Sequence, residues 1–366
     1  MARNRVIYQS EALFVNKEAQ LLDNYLQLER VQSANYSYTI NRQDVNQYGQ
    51  LGKLDSIILD APTVSADASY YVTDGYTERI LGFWVSYAGD GVTDGVSFVS
   101  GHLSDGSGRN MVIVTTPEGT DADLPARDLE HADNTAIGIG NCYLSDYSVD
   151  LSVGAIPTVS VSFDALNINA DLTTPFQNPA VNVLDGEPAG GNINLPALST
   201  TGEGTISALR PGDITVNIAN FDGDGMINLG TDVDGCHIQS ASLSIPLSRT
   251  PLERLGTKTA YARSVDFPVV STLSVSAIVN ETETSNLAEL LDEEAEKTVT
   301  LTLGTADGGT GVKYTLKGCS FDSEAITSSI GSNKSVDLSF STSVGGPEDT
   351  DHGVFMSGVS TDRGNM

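Results

Sequence analysis

Catalytic motifs are missing from this chain of 366 residues, although it carries residue types that catalysis often uses. Its four histidines have no second ligand at metal-binding spacing; they are His102, His131, His237 and His352. Its three cysteines are odd in number and widely spaced, which argues against a disulfide framework or a zinc site; they are Cys142, Cys236 and Cys319. Neither a GxSxG elbow nor a glycine-rich phosphate loop occurs. We therefore predict that the protein is not an enzyme and has no catalytic site, no cofactor and no small-molecule substrate.

One segment, Asn220–Asp232, resembles the calcium loop of EF-hand proteins. Its sequence, NFDGDGMINLGTD, matches the loop at six positions; these are Asn220, Asp222, Asp224, Gly225, Ile227 and Asn228. Thr231 stands where the loop has its bidentate glutamate, with Asp232 next, and the flanking helices of an EF-hand are absent. A calcium loop and a plain turn between strands both remain open. The turn needs fewer assumptions, and we assign no metal.

The charge balance is strongly acidic, with 48 Asp and Glu residues against 19 Lys and Arg residues and a net charge of −29. Such a surface repels nucleic acid, because binding to phosphates requires Lys and Arg to displace counterions. The charge therefore disfavours a nucleic-acid-binding module, but it suits a conduit along which DNA must slide without sticking. Adaptation to a salty habitat explains the same excess of carboxylates, and the two explanations are compatible.

Targeting and membrane-spanning segments are not visible in the sequence. The N-terminus has basic residues but lacks the apolar stretch of a signal peptide. No apolar run reaches the ~18 residues that a membrane helix needs. We expect a soluble product that is made in the cytoplasm.

The elements that must position any functional residue are β-strands. Many glycines, together with recurring Ser, Thr and Val, favour short strands joined by turns. Apolar and polar residues alternate clearly in Tyr36–Ile40, Thr158–Phe163 and Ser335–Phe340. This period of two predicts strands with a buried apolar face and a solvated polar face, as in antiparallel sheets.

One helix is predicted in each half of the chain. Asn286–Lys297 has a capping asparagine, a stripe of leucines and a final lysine that suits the negative end of a helix. Asp94–Asp105 is its weaker counterpart. Each helix should precede a strand, at Met111–Thr116 and at Thr298–Leu303.

An internal repeat is the key feature of the sequence. Residues 7–54 align with 214–261 without a gap, at a shift of 207. The best stretch sets VQSANYSYTINR over IQSASLSIPLSR, which are Val31–Arg42 and Ile238–Arg249. With a slip of one residue the match continues and sets Val64 on Val270. Near the ends of the repeats, 148–165 resembles 320–342.

The repeat divides the chain into a first copy, 1–168, and a second copy, 212–344. Residues 169–211 are rich in Pro, Gly and Asn and read as an extended linker or loop. Residues 345–366 read as a polar, mobile C-terminal tail. The predicted fold class is mainly β, with two tandem β-sandwich or half-barrel domains that each carry one flanking α-helix.

Arg30–Gly75 resembles the major tail tube proteins of long-tailed phages, especially those of aquatic hosts, and Ala136–Ile168 resembles the closing part of the same unit. The second copy is recognised mainly through the first. The resemblance implies a β-sandwich with a flanking helix whose strands join between subunits into a barrel. Single-unit members form hexameric rings, so a doubled chain would form trimeric, pseudo-hexameric rings that stack into a hollow tube.

The same resemblance implies a place in the virion tail, after assembly in the host cytoplasm. The expected partners are further copies of the chain, a tail terminator, a baseplate or tip complex and a tape-measure protein. Genomic DNA would pass through an acidic lumen without specific binding. The loops Gln43–Leu54 and Thr250–Tyr261 would reach the neighbouring ring, or they would be ordinary hairpin loops.

Two other functions stay open at this stage. An acidic β-sandwich adhesin or receptor-binding protein of the virion would need an exposed aromatic or carbohydrate site. The dense aromatic cluster consists of Tyr70, Tyr71, Tyr76, Phe83 and Trp84, and core packing explains it more simply. A calcium-stabilised decoration protein would be sensitive to chelators.

Overall fold

The computed structural model describes residues 11–16, 18–19, 21–59, 61–87, 96–103, 108–117, 122, 134–195, 209, 214–219, 237–256, 259–278, 296–304, 310–329 and 333–358. In these residues the protein is mainly β, as predicted, and has two short helices. The strands are β1 (Glu11–Val15), β2 (Leu26–Gln27), β3 (Val31–Thr39), β4 (Arg42–Val45), β5 (Asp55–Ile58), β6 (Thr63–Tyr71), β7 (Val85–Tyr87), β8 (Arg109–Thr115), β9 (Thr135–Ser152), β10 (Thr158–Ala165), β11 (Asn167–Asp171), β12 (Ile214–Ala219), β13 (His237–Pro246), β14 (Arg249–Leu252), β15 (Ala262–Val265), β16 (Val269–Ile278), β17 (Lys297–Gly304), β18 (Thr310–Thr327), β19 (Ser335–Val344) and β20 (Gly353–Gly358).

The two helices are α1 (Tyr76–Leu81) and α2 (Ser100–Leu103), and both lie in the first half of the chain. The prediction of a single helix over Asp94–Asp105 is wrong, because α2 is only four residues long and α1 precedes it. Glycines in the left-handed conformation flank α1 and limit its length; they are Gly75 and Gly82. The second predicted helix lies outside the described residues, except for its last two positions, and Lys297 begins β17.

The strands form two sets with the same order of antiparallel pairing. In the first set the order is β1–β8–β9–β10–β6–β3, with β11 also paired to β9. In the second set the order is β12–β17–β18–β19–β16–β13, with β20 also paired to β18. Each set has one separate hairpin, β4–β5 in the first and β14–β15 in the second.

The registers of the two sets also agree. A β-bulge follows the pair Val31–Tyr70 in the first set and the pair Ile238–Ala277 in the second, at a shift of 207 residues. Another bulge precedes Phe163 and its counterpart Phe340, at a shift of 177. The predicted slip of one residue is wrong, because Ser65 faces Ser37 as Thr272 faces Ser244. Val64 therefore corresponds to Ser271 and not to Val270.

The ungapped alignment also fails at the first strand of each set. Arg109 lies opposite Cys142, and Lys297 lies opposite Cys319. Since the two cysteines are equivalent, Arg109 of β8 corresponds to Lys297 of β17. Glu11 pairs with Thr115 in the first set, and the equivalent place in the second belongs to Ile214. The shift between equivalent residues is therefore four residues shorter at β1 and β12 than at β3 and β13. The reason is that the connection from β12 to β13 is four residues longer than the one from β1 to β3.

Strand β13 pairs with β9 and thereby joins the two sets. The result is a central sheet of eight antiparallel strands in the order β3–β6–β10–β9–β13–β16–β19–β18. Strands β9 and β18 are 18 residues long, and only their C-terminal halves belong to this sheet. Their N-terminal halves pair with β8 and β11, and with β17 and β20.

The C-terminal strand β20 contradicts the predicted mobile tail. Its six residues are all buried, and it pairs with β18 on one side and with β7 on the other. The pairing with β7 is parallel and fastens the second set of strands onto the first. Sequence patterning missed it because a short apolar run between glycines has no period that distinguishes it from a loop.

Of the two predictions for this segment, an extended linker or a loop, residues 172–195 fit the loop, because they are irregular and packed against the first strand set. Phe176 and Ile193 are buried in one cluster with Phe14 and Val112, on the outer face of β1 and β8. Gly138 of β9 lets the same segment approach closely at Pro179, because a Cβ there would lie 2.8 Å from the proline ring. Most of residues 196–211 fall outside the described part of the chain.

The core runs through both strand sets. The predicted strands at Met111–Thr116 and Thr298–Leu303 are confirmed as β8 and β17. The apolar residues of β10 and β19 are buried as predicted; they are Val159, Val161, Phe163, Val336, Leu338 and Phe340. The prediction is wrong for β3, where Tyr36 is 41% and Tyr38 58% exposed, because β3 is an edge strand that extends past the core.

Candidate functional surfaces

The central sheet turns one face to the core and the other to solvent, and we call the solvent side the polar face. Strand alternation brings serine, threonine and aspartate to this side. One row crosses seven strands at directly opposite positions and consists of Ser33, Ser69, Ser160, Ser148, Ser244, Thr272 and Ser341. The aspartates that share this face are Asp67, Asp146, Asp150, Asp164 and Asp337.

Side chains on the polar face hydrogen-bond across neighbouring strands. The hydroxyls of Ser33 and Ser69 lie 2.6 Å apart. The Asn35 amide donates to the Asp67 carboxylate at 2.8 Å, and the Ser242 hydroxyl donates to Asp150 at 2.8 Å. The paired ladder positions of this face carry neither lysine nor arginine in the described strands. Such a surface is well hydrated and offers no cation from its own strands to hold a phosphate. Arg263 of β15 lies beside it, with one guanidinium nitrogen 3.7 Å from the Asp164 carboxylate.

The central sheet has two open edges in the described residues. One is β3, which pairs only with β6, and its second half is exposed. The other is the C-terminal half of β18, which pairs only with β19 and is exposed on most residues from Ser320 to Ser329. Exposed edge strands offer unpaired backbone N–H and C=O groups to another strand.

Each open edge has a counterpart in the other strand set, and that counterpart is paired with a further strand. β13, the counterpart of β3, is paired on both sides because β9 lies against it. Likewise β9, the counterpart of β18, is paired with β13 along its C-terminal half. We call this contact between β9 and β13 the closed junction. In it the counterpart of β18 pairs with the counterpart of β3.

The closed junction is held by the side chain of Arg249, which is only 8% exposed. Its Nε donates to the Leu144 carbonyl at 3.1 Å, and its Nη2 donates to the His102 carbonyl at 2.9 Å. The guanidinium also lies 5.6 Å from the ring centre of Tyr143. Buried hydrogen bonds from a charged donor are among the stronger polar contacts in proteins.

The two hairpins carry large apolar side chains in full contact with solvent. Tyr48 and Leu51 lie between β4 and β5, and Leu255 lies between β14 and β15; each has an exposure above 100%. Val45 and Ile57 add further apolar surface on the first hairpin. Clustered exposed apolar side chains of this kind mark an interaction site.

A buried polar cluster lies where the two strand sets meet behind the closed junction. The hydroxyls of Tyr147 and Tyr314 lie 2.9 Å apart. Glu78 is fully buried on α1, and its carboxyl group lies close to the hydroxyl of Tyr70. Burial raises the pKa of Glu78 to about 7. Burial also raises the pKa of Tyr147 and Tyr314 well above the usual value, so both stay neutral.

The residues that sequence reasoning considered for chemistry do not come together in the described structure. His102 is buried, and burial, with Arg109 and Arg249 nearby, lowers its pKa well below the usual value. His352 is half exposed beside Glu296 and Asp349, at 3.6 Å from each. His131, Cys236 and the segment Asn220–Asp232 lie outside the described residues, as does the side chain of His237.

The remaining cysteines and the aromatic cluster belong to the core. Cys142 and Cys319 are buried free thiols, and burial raises the pKa of Cys319 to about 12. Tyr70 and Phe83 are buried, with Phe83 stacked on Phe98 at 4.2 Å, whereas Trp84 is 51% exposed. No group of three metal-ligating side chains forms within the described ranges. No helix in that part of the chain is long and apolar enough to cross a membrane.

Comparison with known proteins finds no family model that matches the chain and no significantly similar curated protein.

The open edges and the polar face were not found from the sequence. The serine-rich alternation was visible, but only pairing shows that six serines and one threonine from seven strands lie side by side. The identical Arg42 and Arg249 were visible in the repeat. Their different burial could not be read from identity alone.

Proposed function

We propose that this protein is a structural subunit that closes into rings, and that the rings stack into the hollow tail tube of a virus. Its two strand sets act as tandem tail-tube-like units, each a sandwich or half-barrel of strands. Three chains would then supply six units to one ring. The tube is not an enzyme, needs no cofactor, and conveys genomic DNA.

The observation that carries the proposal is that the closed junction joins two like units and leaves two complementary edges open. β3 is the counterpart of β13, and β18 is the counterpart of β9. A second copy can therefore add at the end of the sheet by the contact that already exists within the chain. Such head-to-tail contacts close into a ring when the rotation between units is constant.

The polar face supports the choice of DNA as the molecule in the channel. Directly paired serines and aspartates cover the solvent side of the central sheet, without lysine or arginine at those positions in the described strands. A negatively charged, hydrated wall repels the phosphates of DNA and does not retain them. The net charge of −29 acts in the same direction.

The hairpins β4–β5 and β14–β15 support stacking. They form small sheets separate from the central sheet and carry fully exposed apolar side chains, as a contact with a neighbouring ring would require. The terminator, the tip complex and the tape-measure protein would meet the ends and the interior of the finished tube in the virion tail.

Negative-stain electron microscopy of the purified protein over a range of salt and protein concentrations tests the proposal. We expect rings or tubes with a central hole, and sedimentation should give a ring mass of three chains. Salt should favour assembly, because it screens repulsion between acidic subunits. Isolated globular particles under every condition would contradict the proposal.

A further inference from the structure

Arg249 and Arg42 occupy equivalent places in the two strand sets. Each is the first residue of its hairpin, and each lies opposite an apolar residue of the paired strand, Val265 or Ile58. Both follow the long strand that forms one side of a junction, β13 or β3. The two positions differ by the same shift of 207 residues as the strands before them.

The surroundings of the two arginines differ completely. Arg249 is buried in the closed junction and donates to the carbonyls of Leu144 on β9 and His102 on α2, in addition to Arg263 of its own hairpin. Arg42 is exposed, and its side chain makes no hydrogen bond to another described residue. Arg42 thus has the same place in its strand set as Arg249, but the strand before it, β3, has no second neighbour in the described residues.

The acceptor that Arg42 needs is present at the other open edge. Leu144, which accepts from Arg249 Nε, corresponds to Phe321 of β18. Leu144 pairs with Phe163 as Phe321 pairs with Phe340, and each comes just before the bulge in its strand. The edge of β18 also carries acidic side chains at Asp322 and Glu324. Arg42 would therefore meet acidic side chains as well as a backbone acceptor at the edge of β18.

We infer that Arg42 of one chain clamps the Phe321 carbonyl of a second copy, and that this contact sets the register between β3 and β18 of neighbouring chains. The inference rests on the proposed ring. In this register Ser37 lies opposite Ala325, as Ser244 lies opposite Ser148 in the closed junction. Arg42 is a positioning residue, because a shift by two residues would move its guanidinium away from the carbonyl.

Cysteine cross-linking tests the register. The double variant Ser37→Cys/Ala325→Cys, in a Cys236→Ser background, should form disulfides between chains, because directly opposite residues in antiparallel strands meet the distance for a disulfide. The expected product series on a non-reducing gel ends at three linked chains. Ser148→Cys/Ser244→Cys is the matched control and should link within one chain. Ser37→Cys/Ser323→Cys is offset by two residues and should link poorly.

The arginine itself is tested by Arg42→Gln. We expect an unchanged melting temperature of the single chain and a protein concentration for assembly that rises about tenfold or more, since one buried hydrogen bond from a charged group is lost. Lys334→Gln removes the same charge from another exposed site and should assemble like the wild type.

The outcomes separate this inference from the proposed function. Rings that form with Arg42→Gln at wild-type concentrations, or that cross-link preferentially through Ser323, would overturn the clamp and leave the ring standing. Wild-type protein that never assembles, together with a Ser37→Cys/Ala325→Cys variant that never cross-links, would overturn both. Cross-linking through Ala325 together with weakened assembly of Arg42→Gln supports the clamp.

Discussion

Glu78 lies in the core, where an ionised carboxyl group is costly. Its environment explains the cost, because α1 carries it into the packing between the two strand sets, near Tyr70 and Tyr314. The residue is neutral in acid and gains a charge near neutral pH. It has no role in the proposed assembly, so its effect is confined to stability.

The raised pKa of Glu78 gives a pH dependence of definite sign. The folded state holds the proton more tightly, with a pKa of about 7 against 4.5 as the ordinary value. Stability therefore falls as pH rises between these values and levels off above them, by about 3 kcal/mol, since one pKa unit is worth about 1.4 kcal/mol. Glu78→Gln should remove this part of the fall in the free energy of unfolding between pH 5 and pH 8.

Urea unfolding of wild type and variant at both pH values measures the difference. Comparing the change with pH cancels the constant cost of placing an amide in the core. Glu253→Gln, on an exposed hairpin, is the control and should keep the wild-type pH dependence. An identical pH profile for Glu78→Gln would show that the carboxyl group has an unperturbed pKa.

At the scale of elements, the equivalent strands β8 and β17 carry different residues on the face that is buried in one and half buried in the other. On the outer face of β8, Val112 and Val114 are buried beneath residues 172–195. The corresponding positions of β17 are Thr300 and Thr302, which are only half buried. Apolar side chains thus occur where residues 172–195 cover the strand, and threonines occur at the corresponding half-buried positions of β17. The covering segment belongs to the fold of the first half.

A second prediction at this scale concerns the β4–β5 hairpin and rests on the proposed tube. Deleting Asn46–Gly49 removes an exposed tip outside the core, so the chain should keep its melting temperature. The variant should form rings but only short tubes, because the apolar contact to the next ring is lost. Electron microscopy measures tube length, and circular dichroism measures melting. Tubes of full length would rule out a stacking role for this hairpin.

A second variant guards against a change in hairpin geometry. Tyr48→Ser/Leu51→Ser keeps the length of the hairpin and removes its exposed apolar tip. It should shorten tubes in the same way as the deletion. If this variant forms tubes of normal length and the deletion forms short ones, the length of the hairpin and not its apolar side chains is needed for stacking.

At the scale of the whole molecule, the acidic composition and the sheet topology meet on the polar face. We predict that replacing Asp67, Asp150 and Asp337 by lysine makes assembled tubes retain DNA. The affinity should fall with salt, because each phosphate contact releases counterions. Wild-type tubes should retain none. The measurement is the amount of DNA that stays protected from nuclease in purified tubes.

The control for this experiment carries the same charge change elsewhere. Asp23, Asp185 and Asp351 are exposed and lie off the polar face. Lysines at these positions should bind DNA only in a form that nuclease digests. Equal protection by both triple variants would argue against a channel lined by the polar face.

Much of the β architecture could be predicted from local patterns. Alternation located the buried faces of β10 and β19, and the repeat aligned Val31–Arg42 with Ile238–Arg249 in the register that the strands adopt. Patterns failed where burial depends on distant partners. Tyr36 and Tyr38 alternate like core residues but lie on an edge. The last strand and the packed segment after β11 have too few apolar residues for a period to emerge.

The sequence by itself determined the strand class, the acidic character and the duplication, because each is set by composition, by a period of two or by similarity along the chain. Only the tertiary structure decided which of two equivalent strands has a neighbour on both sides. β13 and β9 do, whereas β3 and the C-terminal half of β18 are edges of the sheet. Pairing depends on what lies beside a strand in space, and identical residues such as Arg42 and Arg249 acquire different roles when one junction is filled from within the chain and the other is not.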